Sequence, residues 1–381
     1  MTQRNENARG AFHGGGSFEA VGEDLQHLER AREIVRADVL DAWFEPSPRV
    51  LRTLRDHLPF LTAASPPTYA SGLVARIAES RGVCADSILT GGGSSDLIFA
   101  CVPRLVSRGE RVVILDPTYG EYLHVLRDLI GADVIRCDLR KEDGFRIDTE
   151  ALIEQVLEAA PRLVVMVNPN SPTGRYWPRC EVHRLLEHLP PDSRLLVDET
   201  YLEFAEAGVS LEREACEKSN VIVLKSMSKV YALSGLRVGY LVGHPETIRE
   251  LRPWLPPWGV SLPAQAAAIE ALSDSDYYKA RYAETRMHRR ALIDSLRANR
   301  DLCVYDSDIN LVLVETGTSA RRIAEKMQSG NVYVRNCDSM SERFRDCLLR
   351  IAVKDPATNL RTCSALFAAM EHREEPDGLP A

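Results

Sequence analysis

The sequence lacks several features that would assign the chain to large classes of protein. Its cysteines form no C-x-x-C pair, and no zinc-type spacing of cysteine and histidine occurs. The nine cysteines are scattered along the chain: Cys84, Cys101, Cys137, Cys180, Cys216, Cys303, Cys337, Cys347 and Cys363. An odd, scattered set without a small secreted framework is typical of reduced thiols in the cytosol. The sequence therefore predicts neither a disulfide scaffold nor a metal site.

Long apolar runs and an excess of positive charge are also missing. No apolar run approaches the roughly 20 residues that span a bilayer, and the first twelve residues lack the apolar core of a signal peptide. The formal net charge of −8 disfavours general affinity for nucleic acid or anionic membranes. We therefore expect a cytoplasmic protein that acts on small molecules, with neither nucleic acid nor membrane as a partner.

What the sequence does contain is a regular alternation of two patterns. Short apolar runs rich in β-branched residues, such as 111–116 and 163–167, alternate with helical patterns of ten or more residues. Such nearly continuous apolar runs are typical of strands buried on both faces of a parallel sheet, and the alternation indicates βαβ units. We predict an α/β fold with a mostly parallel sheet and a smaller α+β domain.

The predicted domain boundaries follow a change of pattern after Pro263. Residues 49–263 are predicted to form the large domain, and residues 17–48 with 264–381 the small one. The polar, glycine-rich residues 1–16 are expected to be flexible. Within the small domain, the pattern predicts one helix over residues 21–43 and a long helix over about 264–299.

Polar residues accumulate where the predicted strands end, which is where open parallel sheets bind ligands. In "LTGGGSSDLIF", a glycine-rich turn opens a helix, so the N–H groups of Ser94 and Ser95 could hold a phosphate. Asp96 stands where a dinucleotide-binding motif would need glycine. In "LDPTYGEY", Tyr119 follows a strand and could stack on a flat ring or pack in the core.

Two further strand ends carry hydrogen-bonding side chains. In "VNPNSPTG", Asn170, Ser171 and Thr173 lie in a turn fixed by two prolines, and turn chemistry alone accounts for part of this pattern. In "LLVDETYLEF", Asp198 interrupts an apolar strand. A buried aspartate is costly unless it is paired, so Asp198 either caps a helix or pairs with a cationic ring nitrogen.

The fifth strand end, "VIVLKSMSKVYALSGLRVGYLVG", delivers a lysine and then an arginine. Lys229 follows Ser226 and Ser228, and Arg237 comes soon after. A half-buried lysine is the usual nucleophile for a Schiff base, and the arginine with the two hydroxyls suits a phosphate. The stretch also satisfies S-x-x-K, but the S-D-N and K-T-G motifs of that hydrolase family are absent.

Together, the five strand ends describe one ligand. It has a flat ring, a phosphate, a cationic nitrogen and an aldehyde, which is the chemistry of pyridoxal 5′-phosphate. Each motif is weak alone, but five in one order are specific. We therefore predict pyridoxal 5′-phosphate as the cofactor.

These motifs resemble those of the class I/II aminotransferases, a family of pyridoxal-phosphate enzymes. The resemblance covers roughly residues 10–370, and "SMSKVYALSGLRVGY" at 226–240 is its most specific part. Within the family, the chain looks most similar to histidinol-phosphate aminotransferases and threonine-phosphate decarboxylases. The resemblance implies an aspartate-aminotransferase-like fold with a seven-stranded sheet.

The resemblance also implies roles for the residues around the ring. Lys229 matches the lysine that bonds to the cofactor aldehyde and moves protons at the substrate α-carbon. Asp198 matches the aspartate that keeps the pyridine nitrogen protonated. Tyr201 matches the tyrosine that hydrogen-bonds the phenolic oxygen of the ring, and Tyr119 matches the aromatic residue stacked on it.

Further residues match contacts to the cofactor phosphate and to the substrate. The phosphate contacts are matched by Ser94, Ser95, Ser226, Ser228 and Arg237. Arg350, in "LLRIAVK", matches the arginine that binds the substrate α-carboxylate through a planar fork. Arg335, in "VYVRN", matches the arginine that binds a distal substrate phosphate.

The chain departs from the family pattern in three segments. Ser171 stands where the family has asparagine, so either Asn170 or Ser171 could serve the ring oxygen. The family's "N-x-N-P-x-G" is here "WFEPSP", at Trp43–Pro48, near the expected substrate position. In "SPPTY", Ser65 holds the place of a tyrosine that crosses the dimer, and Tyr69 lies four residues later.

The signals that separate transamination from decarboxylation are divided. "HGG" at His13–Gly15 and "PPWGVS" around Trp258 resemble the decarboxylases, whereas "DETY" and "LSGLRVGY" resemble the aminotransferases. We predict a homodimeric aminotransferase that moves an amino group between an L-amino acid and a 2-oxo acid. The alternatives are an amino-acid decarboxylase on the same scaffold and a non-catalytic ligand-sensing module. The substrate itself is not predicted.

Overall fold

A computed structural model describes residues 16–371 and contains two sheets. The larger sheet is formed by β2 (Ile88–Gly91), β3 (Arg111–Asp116), β4 (Asp133–Asp138), β5 (Leu163–Val167), β6 (Arg194–Asp198), β7 (Val221–Ser226) and β8 (Gly239–Gly243). The smaller sheet is formed by β1 (Val35–Ala37), β9 (Cys303–Val304), β10 (Leu311–Glu315), β11 (Val332–Asn336) and β12 (Leu348–Ala352).

The larger sheet is seven-stranded and mostly parallel, in the order β2-β8-β7-β6-β5-β3-β4. Only β8 runs against its neighbours, pairing antiparallel with both β2 and β7. The predicted α/β fold is thus confirmed. The reversal matters because β8 begins at the edge where the other six strands end. The residues that precede β8 therefore lie at the same edge of the sheet as the residues that follow the other six strands.

Alternate residues of the larger sheet enter hydrophobic clusters on its two faces. Val113 and Val164 belong to one cluster, while Ile114 and Val165 belong to the other. These side chains are almost fully buried, as expected for strands covered by helices on both faces. This burial explains why the strands read in the sequence as continuous apolar runs.

Helices fill the intervals between strands. They are α1 (Ser17–Val21), α2 (Pro48–Ala63), α3 (Ser71–Arg81), α4 (Ser94–Leu105), α5 (Gly120–Leu123), α6 (Thr149–Ala159), α7 (Arg179–His188), α8 (Glu212–Glu217), α9 (Met227–Val230), α10 (Pro245–Leu251), α11 (Leu262–Leu272), α12 (Ser275–Arg297), α13 (Ala320–Ser329) and α14 (Pro356–Glu371). A π-helical segment over 124–130 continues α5. Serine or aspartate side chains cap several N-termini, as Asp148 does for α6. No helix in the described part of the chain is long and apolar enough to cross a membrane.

The smaller sheet has the order β1-β11-β12-β10-β9. Strand β1 pairs in parallel with β11, and the remaining pairs are antiparallel. A separate hydrophobic cluster joins this sheet to residues of α12, α13 and α14. The predicted division into residues 49–263, and 17–48 with 264–381, stays a prediction, and the segment 1–16 lies almost wholly outside the described residues.

Two predicted helices are wrong. Residues 21–43 form no continuous helix, because β1 pairs with β11 and residues 38–47 form neither helix nor strand. Tertiary pairing with residues about 300 positions away overrides the local pattern there. The predicted helix over 264–299 is two helices, since α11 ends at Leu272 and α12 begins at Ser275.

A buried charge network surrounds Lys225 on β7 and includes Glu199, Glu203 and Arg81. Lys225 is 2% exposed, and its Nζ lies 2.9 Å from Glu203 and 3.4 Å from Glu199. Arg81 also pairs with Glu203, at 3.0 Å. Burial opposes the charge on Lys225, but the two carboxylates outweigh burial and raise its pKa. The pKa of Glu203 is lowered by Lys225 and Arg81 despite its burial.

We expect Lys225→Met to destabilise the protein by about 3–5 kcal/mol, because the buried Glu199 loses its cation and Glu203 keeps only Arg81. Urea unfolding followed by circular dichroism measures the change in the unfolding midpoint. Lys141→Met is the control, since Lys141 pairs with Glu315 at a half-exposed position, where a loss below about 1 kcal/mol is expected. Equal losses in both variants would contradict a structural role for the network.

Candidate active site

A cavity of about 210 Å³ lies at the carboxyl edge of the larger sheet, facing β11 and β12. All the predicted site residues except Asn170 line it: Ser94, Ser95, Tyr119, Ser171, Asp198, Tyr201, Ser226, Ser228, Lys229, Arg237, Arg335 and Arg350. They come from strand ends far apart in sequence. The topology therefore gathers the polar strand ends that the sequence shows separately.

One end of the cavity is built to hold an anion. Arg237 Nη1 donates to Ser228 Oγ at 3.0 Å, beside the N-terminus of the twelve-residue helix α4. Gly93 precedes that helix with φ +100°, and a Cβ there would lie 2.5 Å from Arg237 Nη2. Free N–H groups at a helix start and a guanidinium together favour phosphate. Glycine at position 93 lets the two lie side by side.

Lys229 lines the cavity and is partly exposed. Its Nζ lies 2.8 Å from Asp41 Oδ1, an ion pair between the chain's N-terminal part and α9. Asp41 was not predicted from the sequence. It lies two residues before the segment Trp43–Pro48 that departs from the family pattern, and no pattern in the sequence links positions 188 residues apart.

Asp198 ends β6 and is 3% exposed. Its Oδ2 accepts from the Tyr122 hydroxyl at 2.9 Å, and its Oδ1 accepts from the Thr200 N–H at 3.0 Å. Burial raises the pKa of Asp198, and these hydrogen bonds act in the opposite direction. Tyr122, which is fully buried, was also missed, because in the sequence it reads as an ordinary core residue of a helix.

Two arginines lie side by side where the smaller sheet faces the cavity. Arg335 on β11 pairs directly across from Arg350 on β12. Arg350 donates to Ser171 Oγ at 3.3 Å and to the Asp38 carbonyl at 3.0 Å, both neutral acceptors. Its buried Nε has no hydrogen-bond partner among the described residues. Burial and the charge of Arg350 lower the pKa of Arg335.

The structure gives different surroundings to Asn170 and Ser171, the two candidates for contact with the ring oxygen. Asn170 is 1% exposed, and its amide is engaged by Pro117, Thr118 and Thr173. Ser171 lines the cavity and contacts Arg350. Of the two residues, Ser171 is therefore the one that lines the cavity.

The sequence model of the family described as "Aminotransferase class I and II" matches residues 44–366. The chain belongs to this family, and it is a pyridoxal-phosphate-dependent aminotransferase. It is 29% identical over 352 residues to histidinol-phosphate aminotransferase from Symbiobacterium thermophilum, covering 91% of this chain and 94% of that protein.

Two solved structures share the fold. Histidinol-phosphate aminotransferase from Sinorhizobium meliloti, in complex with pyridoxal 5′-phosphate, has a TM-score of 0.80 and 26% identity, covering 92% of this chain and 95% of that one. L-threonine-O-3-phosphate decarboxylase from Porphyromonas gingivalis has a TM-score of 0.77 and 22% identity, covering 89% and 100%. At that identity, the second shows the fold alone.

The cavity fits pyridoxal 5′-phosphate, the cofactor of the family. An amine, a buried carboxylate and an anion site line the same space of about 210 Å³, and they match the aldehyde, the ring nitrogen and the phosphate of the cofactor. The unsatisfied Nε of Arg350 points to a further ligand group beside it. The decarboxylase-like "HGG" at His13–Gly15 lies outside the described residues.

We expect Gly93→Ala to weaken pyridoxal 5′-phosphate binding at least tenfold. The added Cβ displaces Arg237, and φ +100° is strained for alanine. Absorbance titration of the cofactor-free protein measures the Kd. The matched control is Gly235→Ala in the same segment as Arg237, where a Cβ meets nothing within 4 Å. A Gly93→Ala variant that binds the cofactor as tightly as this control would contradict the assignment of the phosphate position.

Proposed function

We propose that this aminotransferase acts on an L-amino acid that carries a phosphate or another anion at the end away from the α-carbon. The observation that carries the proposal is the pair of arginines, Arg335 and Arg350, which are direct neighbours across two strands and both line the cavity. Arg335 and Arg350 are half-buried, and two like charges side by side repel each other, so an anion in the cavity stabilises both. A substrate with two anionic groups supplies both partners.

The two arginines differ in what surrounds them. Arg350 contacts Ser171, next to the position proposed for the ring, and so it is proposed to bind the α-carboxylate. Arg335 is proposed to bind the distal anion. The relatives named above as histidinol-phosphate aminotransferases take their name from a phosphate ester, which supports a phosphate as that group.

The proposed roles at the ring follow from the contacts. When bound, pyridoxal 5′-phosphate takes up the electron pair released at the substrate α-carbon. Asp198, held by Tyr122, keeps a proton on the ring nitrogen. Tyr201 donates to the ring's phenolic oxygen, and Tyr119 packs on its face. Lys229 bonds the aldehyde and moves the proton at the α-carbon.

The remaining proposed contacts hold the phosphate and the ring oxygen. The backbone N–H groups of Ser94 and Ser95 and the side chains of Ser226, Ser228 and Arg237 hold the phosphate. Ser171 serves the ring oxygen, while Asn170 fixes the turn that presents it. This division is supported by the side-chain hydrogen bonds of Asn170 within the protein.

A half-reaction screen tests the proposed substrate class. The holoenzyme is mixed with phosphorylated, phosphonate and plain L-amino acids, and conversion of the cofactor to its amine form is followed by absorbance. We expect conversion with phosphorylated or phosphonate substrates at far lower concentrations than with neutral ones. Released CO2 is measured alongside, because decarboxylation is the alternative that the "PPWGVS" motif favours. CO2 in stoichiometric yield would replace the proposal with that alternative.

Arg335→Ala and Arg350→Ala are expected to separate the two ends of the substrate. Losing a charge-assisted fork to a buried anion costs roughly 2–5 kcal/mol. Arg350→Ala should therefore lower kcat/KM for all amino-acid substrates alike, whereas Arg335→Ala should lower it only for those with a distal anion. Saturation kinetics on one anionic and one neutral substrate measure both. Equal losses on the two substrates with Arg335→Ala would rule out its role in binding a distal anion.

We also propose a homodimer in the cytoplasm. The Tyr69 N–H donates to the Pro257 carbonyl at 2.7 Å, which joins the "SPPTY" and "PPWGVS" segments into one surface. Trp258 and Phe60, 61% and 65% exposed, lie in or near these segments in sequence and suit a subunit contact. Sedimentation velocity is expected to give a dimer, with Trp258→Asp shifted toward monomer.

The nine free cysteines support a reducing compartment.

A further inference from the structure

The ion pair at Lys229 is part of a fixed arrangement. Asp41 Oδ1 accepts from Lys229 Nζ at 2.8 Å and from Ser234 Oγ at 2.7 Å. The Ser234 Oγ also lies 3.0 Å from the Ser228 carbonyl oxygen, next to Lys229 in the chain, so its single hydroxyl hydrogen is shared between these two acceptors. One carboxylate oxygen is thus held between the lysine and the turn that follows it.

The rest of Asp41 is held by the smaller sheet. Arg36, on β1, lies 3.6 Å from Asp41 Oδ2, and Lys354, just past β12, donates to the Asp41 carbonyl at 3.0 Å. Burial raises the pKa of Asp41, but the charge and hydrogen bond of Lys229, the hydrogen bond of Ser234 and the charge of Lys354 together outweigh burial, and the pKa falls to about 2. Asp41 is therefore an anion at any pH at which the enzyme works.

The other groups near Asp41 do not replace it as a partner for Lys229. Burial lowers the pKa of Lys354 to about 8, against the opposing effect of Asp41. The Tyr201 hydroxyl is near enough for the Asp41 charge to raise its pKa, and Asp38 is near Lys354. Among the described residues, Asp41 alone has a carboxylate within 4.0 Å of Lys229 Nζ.

We infer that Asp41 is a positioning residue for Lys229. The Asp41 carboxylate accepts a hydrogen bond from the lysine nitrogen and keeps a proton on that nitrogen. This inference rests on the proposed role of Lys229 as the residue that bonds the cofactor. A carboxylate accepts only from a nitrogen that carries a proton, and its charge favours the protonated form. Asp41 thereby fixes the position and the charge of the lysine nitrogen that is bonded to the cofactor.

The direction in which removal of Asp41 shifts the absorbance midpoint follows from the negative charge of its carboxylate. The absorbance of a lysine-bound pyridoxal 5′-phosphate changes when the nitrogen of that bond loses its proton. An adjacent anion delays this loss to higher pH, so removal of the anion moves the absorbance midpoint to lower pH. A merely structural ion pair between the two sheets would not move that midpoint.

The test compares absorbance–pH titrations of the holoenzyme and its variants. We expect Asp41→Asn to lower the midpoint by at least about one pH unit, a tenfold change in proton affinity. Asp41→Glu should recover part of the shift, because it restores the charge. Glu270→Gln is the matched control: it removes a carboxylate that pairs with Arg49 at 3.1 Å, away from the cavity-lining residues, and should leave the midpoint unchanged.

Borohydride reduction and peptide mapping keep the two ideas apart. A pyridoxyl label on any lysine other than Lys229 would overturn the proposed role of Lys229 itself. With the label on Lys229, an unshifted midpoint in Asp41→Asn would overturn the positioning role alone. Should Asp41→Asn fold poorly, Ser234→Ala replaces it. That variant removes one hydrogen bond from Asp41 Oδ1 and is expected to shift the midpoint in the same direction by a smaller amount, and no shift would again overturn the inference.

Discussion

The site depends on one reversal of the chain at the edge of the larger sheet. β7 reaches that edge at Ser226, a short turn carries Lys229, and β8 re-enters antiparallel at the same edge. Because β8 lies between β7 and β2, the arginine that precedes it faces the helix that follows β2. Strand order, rather than a flexible loop, therefore brings Lys229, Arg237 and the N-terminus of α4 to one cavity.

Much of this arrangement could be predicted because it depends on local patterns in the sequence. Strands buried on both faces read as apolar runs, and the polar residues that end them mark the carboxyl edge. Asp198 and Lys229 were predicted in this way, because each is a charged residue at or just after the end of an apolar run. The cofactor followed from the set, since only one common ligand uses all these groups.

What the sequence could not predict depends on contacts between distant segments. Tyr122 supports Asp198 from 76 residues away, and Asp41 meets Lys229 across 188 residues. The helix predicted over residues 21–43 failed for the same reason, because β1 is defined by its pairing with β11. Asn170 and Ser171 were adjacent in the sequence and equally polar. Only the structure showed that the Asn170 amide is hydrogen-bonded within the protein while Ser171 lines the cavity.

The position of Asp41 has a mechanical consequence. Its carboxylate contacts the turn after β7, while its carbonyl and its second oxygen are held by Lys354 and Arg36 of the smaller sheet. Any motion that draws the two sheets apart must stretch the contact to Lys229, and any motion that brings them together must restore it. The distance between the Lys229 nitrogen and the Asp41 carboxylate is therefore coupled to the separation of the two sheets.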